Sequence, residues 1–102
     1  MIVAVTGSSG FLGNKLVDSL LERGHQVISI DISNGIDIME WEKFKNIEYF
    51  DVLVHLAAMS FVPLSYEKPR EFYSLNINGV INGLELCRIY GAKFIFASSY
   101  VY

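Results

Sequence analysis

The sequence predicts an α/β fold: a parallel sheet wound doubly, with helices on both faces. Three observations predict it. Short apolar, β-branched runs alternate with longer segments whose apolar residues repeat every 3.6 positions. Glycines stand where the helical segments should stop, at Gly24 and Gly91. No Pro/Gly/Ser-rich linker, repeat or low-complexity tract divides the 102 residues, a length that allows one domain. Strands and helices in alternation imply parallel pairing through right-handed crossovers.

Taken in order, residues 2–6 (IVAVT) form a first buried strand that ends in glycine. Residues 11–23 carry Leu12, Leu16, Val17, Leu20 and Leu21 among Lys15, Asp18, Ser19 and Glu22, which predicts a helix with one buried face. Residues 27–30 form a second strand closing on Asp31, and 35–38 a short third one. Residues 39–45 suggest a short helix. Residues 51–58 (DVLVHLAA) read as a clear strand. Residues 71–90 read as a long helix, with Pro69 tolerated near its start and an inner face of Phe72, Leu75, Val80, Leu84 and Cys87. Residues 94–97 (FIFA) form a last buried strand before Ser98 and Ser99. A doubly wound sheet normally continues into a second half, so the chain is expected to be the N-terminal part of something longer.

Composition removes several classes of function. The chain is 52% hydrophobic and 14% aromatic, so it can build a core, and disorder is excluded. Its net charge is −3, with no basic stripe to neutralise phosphates, which argues against nucleic acid. No uncharged apolar run is long enough to span a membrane. The N-terminus has no basic n-region and reads as a strand, not a signal peptide. Cys87 is alone, which excludes a disulfide within the chain and argues against a Cys-based zinc site. It reads as a buried thiol acting as a small hydrophobe. A reducing, cytoplasmic setting follows.

The informative segment is Thr6-Gly7-Ser8-Ser9-Gly10-Phe11-Leu12-Gly13, spaced G-x-x-G-x-x-G between the first strand and the first helix. At that junction Gly7 permits the tight turn, Gly10 lets a pyrophosphate approach the backbone, and Gly13 lets helix and strand pack closely. The helix N-terminus offers unpaired N–H groups and partial positive charge to phosphates. A Walker loop does not fit, because Lys15 does not directly follow a glycine and no Ser or Thr follows it. A plain glycine-rich turn is the competing reading. Asp31 speaks against it, standing about 20 residues on, where a carboxylate accepts from ribose hydroxyls and repels a 2′-phosphate. That favours NAD over NADP. Alone, Asp31 could equally cap a turn before Ser33-Asn34-Gly35.

These pieces, in order, resemble the extended short-chain dehydrogenase/reductases, in particular the NAD-dependent epimerase/dehydratase family acting on nucleotide sugars. TGSSGFLG is similar to that family's first turn, GIDI at 35–38 to its adenine-contacting Asp-Ile, and VLVHLAA at 52–58 to its fourth-strand motif. YSLNINGVING at 73–83 resembles its N-x-x-G helix signature, and FIFASSYVY at 94–102 its fifth strand and catalytic Ser/Thr turn. The resemblance implies a Rossmann-like doubly wound sheet, of which residues 1–102 are a partial NAD-binding domain. It implies pyrophosphate contacts from the backbone of Phe11 and Leu12 beside Gly7, Gly10 and Gly13. It also implies ribose contacts from Asp31, adenine recognition by Asp37 and Ile38, and cofactor-lining roles for Leu56, Ala57 and Ala58. Asn76 falls at the family's Asn position. Ser99 is the implied catalytic hydroxyl, chosen over Ser98 because strand register fixes side-chain direction more firmly than a loop does. The intact protein would take a nucleotide-sugar substrate and would pair as a homodimer through helices that include 71–90.

Three departures from the family stand out. The region between Asp31 and Asp51 is short, leaving little room for a full third strand and its helix. Ser60 replaces a Lys that contacts the cofactor in some epimerases. No Tyr-x-x-x-Lys occurs in the chain, although its lysine is needed to lower the tyrosine pKa. The chain as written would therefore bind cofactor without turnover. The main expectation is the NAD-binding part of a nucleotide-sugar epimerase, dehydratase or reductase; the alternative is a non-catalytic dinucleotide-binding module. An NADP-dependent reductase of the same superfamily is disfavoured by Asp31. His55 reads as a satisfied core residue, and Asn78 and Asn82 as solvent-facing.

Overall fold

Four apolar segments become parallel strands: β1 (Ile2–Thr6), β2 (Gln26–Ile30), β3 (Val52–His55) and β4 (Lys93–Phe96), in the order β2-β1-β3-β4. The structure is a computed structural model that describes residues 1–56 and 69–96, side chains excepted at 69 and 71–76. Among the described residues the helices are α1 (Phe11–Glu22), α2 (Trp41–Phe44) and α3 (Pro69–Tyr90), with a 3-10 turn at Ile32–Asn34. Ladder register is continuous, from Ile2 opposite Gln26 to Thr6 opposite Ile30, and from Val3 opposite Val52 to Thr6 opposite His55.

Strand residues alternate between faces. Ala4, Ile30 and Leu53 turn to one face and form a core with Leu86 and Cys87 of α3 and with Phe44, Ile47 and Phe50. Val3 and Val5 point to the other, where α1 crosses β1 and β2. Right-handed connections require this split, because β1 to β2 and β3 to β4 move in opposite directions across the sheet.

The short helix expected at 39–45 is realised as four residues. So short a helix has no stability of its own. Its anchor is Phe44, fully buried, which contributes about 1.5–3 kcal/mol. Asp51 joins the front of the sheet, its Oδ2 accepting from the Ile2 N–H at 2.8 Å. The Tyr90 hydroxyl ties the end of α3 to the Ile47 carbonyl. Helix α1 stops as expected: Gly24 takes φ +82° and donates to the Leu21 carbonyl.

Four expectations are corrected. β4 is not a buried strand, since Ile95 and Phe96 are exposed. In α1 only Gly13 is buried, Leu12 and Leu21 being exposed. Residues 35–38 form no strand. Asp31 caps the 3-10 turn through the Ser33 N–H, and Gly35 closes it at φ +79°, which turns the chain away from the ladder. The inner face of α3 is displaced in part: Cys87 is buried as expected, Val80 is half-buried, and the side chains of Phe72 and Leu75 lie outside the described residues. Leu84 is 49% exposed, whereas Gly79, Gly83, Leu86 and Cys87 are buried. The helix presses its glycines onto the sheet: a Cβ on Gly83 would stand 2.8 Å from a Phe94 ring carbon and 3.2 Å from a Leu53 methyl. Ile77, Ile81 and Ile89 are exposed with Leu84.

Candidate functional site: a cleft at the strand ends

The chain leaves β1 toward β2 on one side, and β3 toward β4 on the other. A crevice therefore opens at the carboxyl ends of the adjacent strands β1 and β3, the place where doubly wound sheets bind ligands. The structure has a cleft of about 390 Å³ there. Its walls are Gly7, Ser9 and Gly10 from the glycine turn, Ile30, Asp31 and Ile32 after β2, Ile36, Asp37 and Ile38 from the following loop, and Leu56 after β3.

The glycine turn has a distinct requirement at each position. Gly7 takes φ +67°, and its N–H donates to the Ile30 carbonyl at 2.9 Å, joining the ends of β1 and β2. Gly13 is buried: a Cβ there would stand 2.2 Å from the Gly7 carbonyl oxygen and 2.8 Å from Ser8 Cα. It is glycine because the helix lies on the turn. Gly10 is different. Its backbone is extended (φ −73°, ψ 172°), and a Cβ would meet only the Gly7 oxygen, at 3.4 Å. The protein itself leaves that space open, which fits a group approaching the backbone from the cleft.

Helix α1 begins with no side-chain cap and no acidic residue in its first turn. The N–H groups of Phe11, Leu12 and Gly13 have no intrahelical acceptor, and they carry the positive end of the helix dipole. The Phe11 and Leu12 side chains are exposed, and Lys15 Nζ sits 4.3 Å from the Phe11 ring centroid. Any contribution of these two residues to the cleft is therefore through the backbone.

Asp31 combines both roles that its sequence position allowed. Oδ1 accepts from the Ser33 N–H and the Ser33 hydroxyl, each at 3.0 Å, and Oδ2 accepts from the Ser9 N–H at 3.2 Å. Led by the Ser33 N–H, these donors hold its pKa down to about 2. The carboxylate caps the turn and still faces the cleft. Asp37 Oδ1 accepts from the Met39 N–H at 2.9 Å, which orients its carboxylate at the cleft wall beside Ile38.

His55 is a core residue, as expected, but only one of its ring nitrogens has a partner among the described residues. It is fully buried on β3, with Nδ1 hydrogen-bonded to Thr6 Oγ1 at 2.8 Å, and the same oxygen accepts from the Leu56 N–H at 2.9 Å. Its Nε2 is buried with no hydrogen-bond partner among the described residues. The ring stacks on Phe96 at 5.7 Å, and burial lowers its pKa. Asn82 was misplaced by sequence: it is half-buried and donates from Nδ2 to the Ile38 carbonyl at 2.7 Å. No local signal marks that contact.

The structure thus brings Gly7, Gly10, Asp31, Asp37, Ile38 and Leu56 to one cleft, with Gly13 beneath the turn. Asn76 lies within α3, with its side chain outside the described residues. Ala57, Ala58, Ser60, Ser98 and Ser99 lie outside the described residues. Among the described residues no group of three His, Cys, Asp or Glu could hold a metal, and no helix is long and apolar enough to cross a membrane.

The sequence pattern of the NAD dependent epimerase/dehydratase family matches residues 3–102. A UDP-glucose 4-epimerase of Erwinia amylovora is 32% identical, the match covering 97% of this chain and 37% of that protein. Among solved structures, UDP-glucose 4-epimerase from Thermotoga maritima with UDP-glucose is similar at TM-score 0.89 and 32% identity. That match covers 97% of this chain and 38% of the other. UDP-glucose 4-epimerase of Thermus thermophilus in complex with NAD is similar at TM-score 0.84 and 34% identity, with the same coverage. The chain therefore spans less than two fifths of the length of these relatives.

Proposed function

Since the chain belongs to the NAD-dependent epimerase/dehydratase family, we propose that residues 1–102 form the NAD(H)-binding part of an enzyme acting on a nucleotide-linked sugar. The observation that carries this reading is the pairing, across one cleft, of an open Gly10 cradle at an uncapped helix start with the fixed Asp31 carboxylate. The cradle suits a pyrophosphate, and its donors are the N–H groups of Phe11, Leu12 and Gly13. Asp31 accepts from the adenosine ribose hydroxyls and repels a 2′-phosphate. Asp37 accepts from the adenine amino group, and Ile38 packs on the ring. Leu56, Ala57 and Ala58 would line the cofactor, and Asn76 falls at the family's Asn position.

Bound in this cleft, NAD supplies a hydride acceptor for a sugar carbinol. The Ser99 hydroxyl hydrogen-bonds the reacting sugar oxygen and orients it. The tyrosine and lysine that move the proton in this family are absent from residues 1–102, so the reading assigns binding and orientation to this chain. The exposed row Ile77, Ile81 and Leu84 on α3 supports pairing with a second copy.

The test is calorimetric titration of the full chain with NAD and with NADP. NAD should bind, NADP should bind at least about tenfold more weakly, and Asp31→Ala should weaken NAD and reduce that ratio. Absence of NAD binding overturns the reading. An unchanged ratio in Asp31→Ala removes Asp31 from the ribose site.

A further inference from the structure

Residues 36–38 belong to no strand or helix, yet two of them are the proposed adenine-binding residues. A loop outside the ladder must find partners for its buried carbonyls elsewhere. Ile38 is 3% exposed, and its carbonyl finds one on α3: the Asn82 side chain, at 2.7 Å. A carbonyl oxygen only accepts, so the amide nitrogen of Asn82 must face it. The same helix touches the same residue a second time. At Gly79 an added Cβ would stand 3.4 Å from Ile38 Cγ2, so helix and loop are already in close contact. Asp37 is the next residue back, with Oδ1 held by the Met39 N–H and Oδ2 without a partner among the described residues.

We propose that Asn82 is a positioning residue for base recognition: by holding the Ile38 backbone, it sets the Asp37 carboxylate and the Ile38 side chain against an amino-bearing purine. The inference rests on the assignment of Asp37 and Ile38 to the adenine. A hydrogen bond weakens steeply as its distance and angle drift. A loop released at Ile38 should therefore lose selectivity for the amino group before it loses overall affinity.

The experiment compares dissociation constants for NAD and for nicotinamide hypoxanthine dinucleotide, which carries an oxo group in place of the adenine amino group. Wild type, Asp37→Ala and Asn82→Leu are titrated as full chains. Asn82→Leu keeps the branched shape of the side chain and removes the donor. Wild type should prefer NAD by about tenfold. Asp37→Ala should erase the preference. Asn82→Leu should reduce it to about threefold or less while leaving the rejection of NADP intact, a pattern that general loosening of the fold would not produce. If Asp37→Ala erases the preference and Asn82→Leu retains it, Asn82 does not position the loop. If Asp37→Ala itself retains the preference, the adenine assignment fails and the inference falls with it. Should Asn82→Leu fail to fold, Asn82→Asp removes the donor in nearly the same shape, and the same ratio decides.

Discussion

Replacing Gly13 and Gly10 separately by alanine should divide the glycine turn into a packing residue and a ligand residue. In Gly13→Ala the new Cβ would lie 2.2 Å from the Gly7 oxygen and 2.9 Å from the Ser8 carbonyl carbon, both backbone atoms with no rotamer to yield. Restoring ordinary contact requires α1 to back off by about 1 Å. Overpacking of this kind costs about 3 kcal/mol, the upper end of its usual range. Alanine is favoured over glycine inside a helix by about 1 kcal/mol, which leaves a net loss of about 2 kcal/mol. For a domain of this size that lowers Tm by about 8–16 °C. In Gly10→Ala the Cβ meets one atom at 3.4 Å, and φ −73° suits any residue. Loss of the better N-cap residue and the gain from a stiffer unfolded chain are each below about 1 kcal/mol and oppose each other, so Tm should move by less than about 5 °C. NAD affinity should nevertheless fall at least tenfold, or about 1.4 kcal/mol, because the Cβ occupies the cradle. Thermal melts by circular dichroism without ligand, and calorimetric titration with NAD, read the two effects independently. A Gly13→Ala chain as stable as wild type would refute the packing argument. A Gly10→Ala chain that binds NAD normally would remove the pyrophosphate from this turn.

Two pH dependences should also be visible. The Asp31 pKa is about 2 in the fold against 3.8 in the unfolded chain. Its stabilisation is therefore complete above pH about 4 and lost as pH falls toward about 2. Denaturant midpoints measured over that range should show a smaller acid loss in Asp31→Asn than in wild type; equal losses would mean that the Ser33 and Ser9 contacts do not hold the charge. His55 is buried and its pKa is lowered by desolvation, so on acidification the unfolded chain takes up this proton first. Stability should be full above pH about 6.5 and should fall below it, with a limiting slope of about 1.4 kcal/mol per pH unit. A midpoint series from about pH 7.5 to about 5.5 should lose this component in His55→Phe, and its persistence there would assign the slope to another group.

What could be read from the sequence is what the chain imposes locally. The turn at Gly7, Gly10 and Gly13 and the carboxylate ending β2 follow from spacing between adjacent elements. Residues 35–38 alternate Ile36 and Ile38, but a capped turn can present that period as readily as a strand. The inner face of α3 was misjudged for a different reason. Large side chains suggested Leu84, whereas close approach selected the glycines at 79 and 83 and turned the helix accordingly. The Asn82–Ile38 contact joins residues 44 apart, and no local pattern encodes it. His55 reads as core and is core, but the nitrogen that has no partner among the described residues is visible only in three dimensions.

The strand order β2-β1-β3-β4 also governs how the chain can fold. The first strand made is an interior one, and its two edges are completed at different times. Its ladder with β2 can close once residue 30 is made, but its other edge waits for β3, joined through residues 49 apart. Parallel pairings across such separations are slow to nucleate, because the loop entropy is lost before the contacts form. On a ribosome, the N-terminal residues would therefore stand for a time as an open β edge. Refolding of β1 against β3 should be the slow event, and the Thr6–His55 contact a marker of its completion.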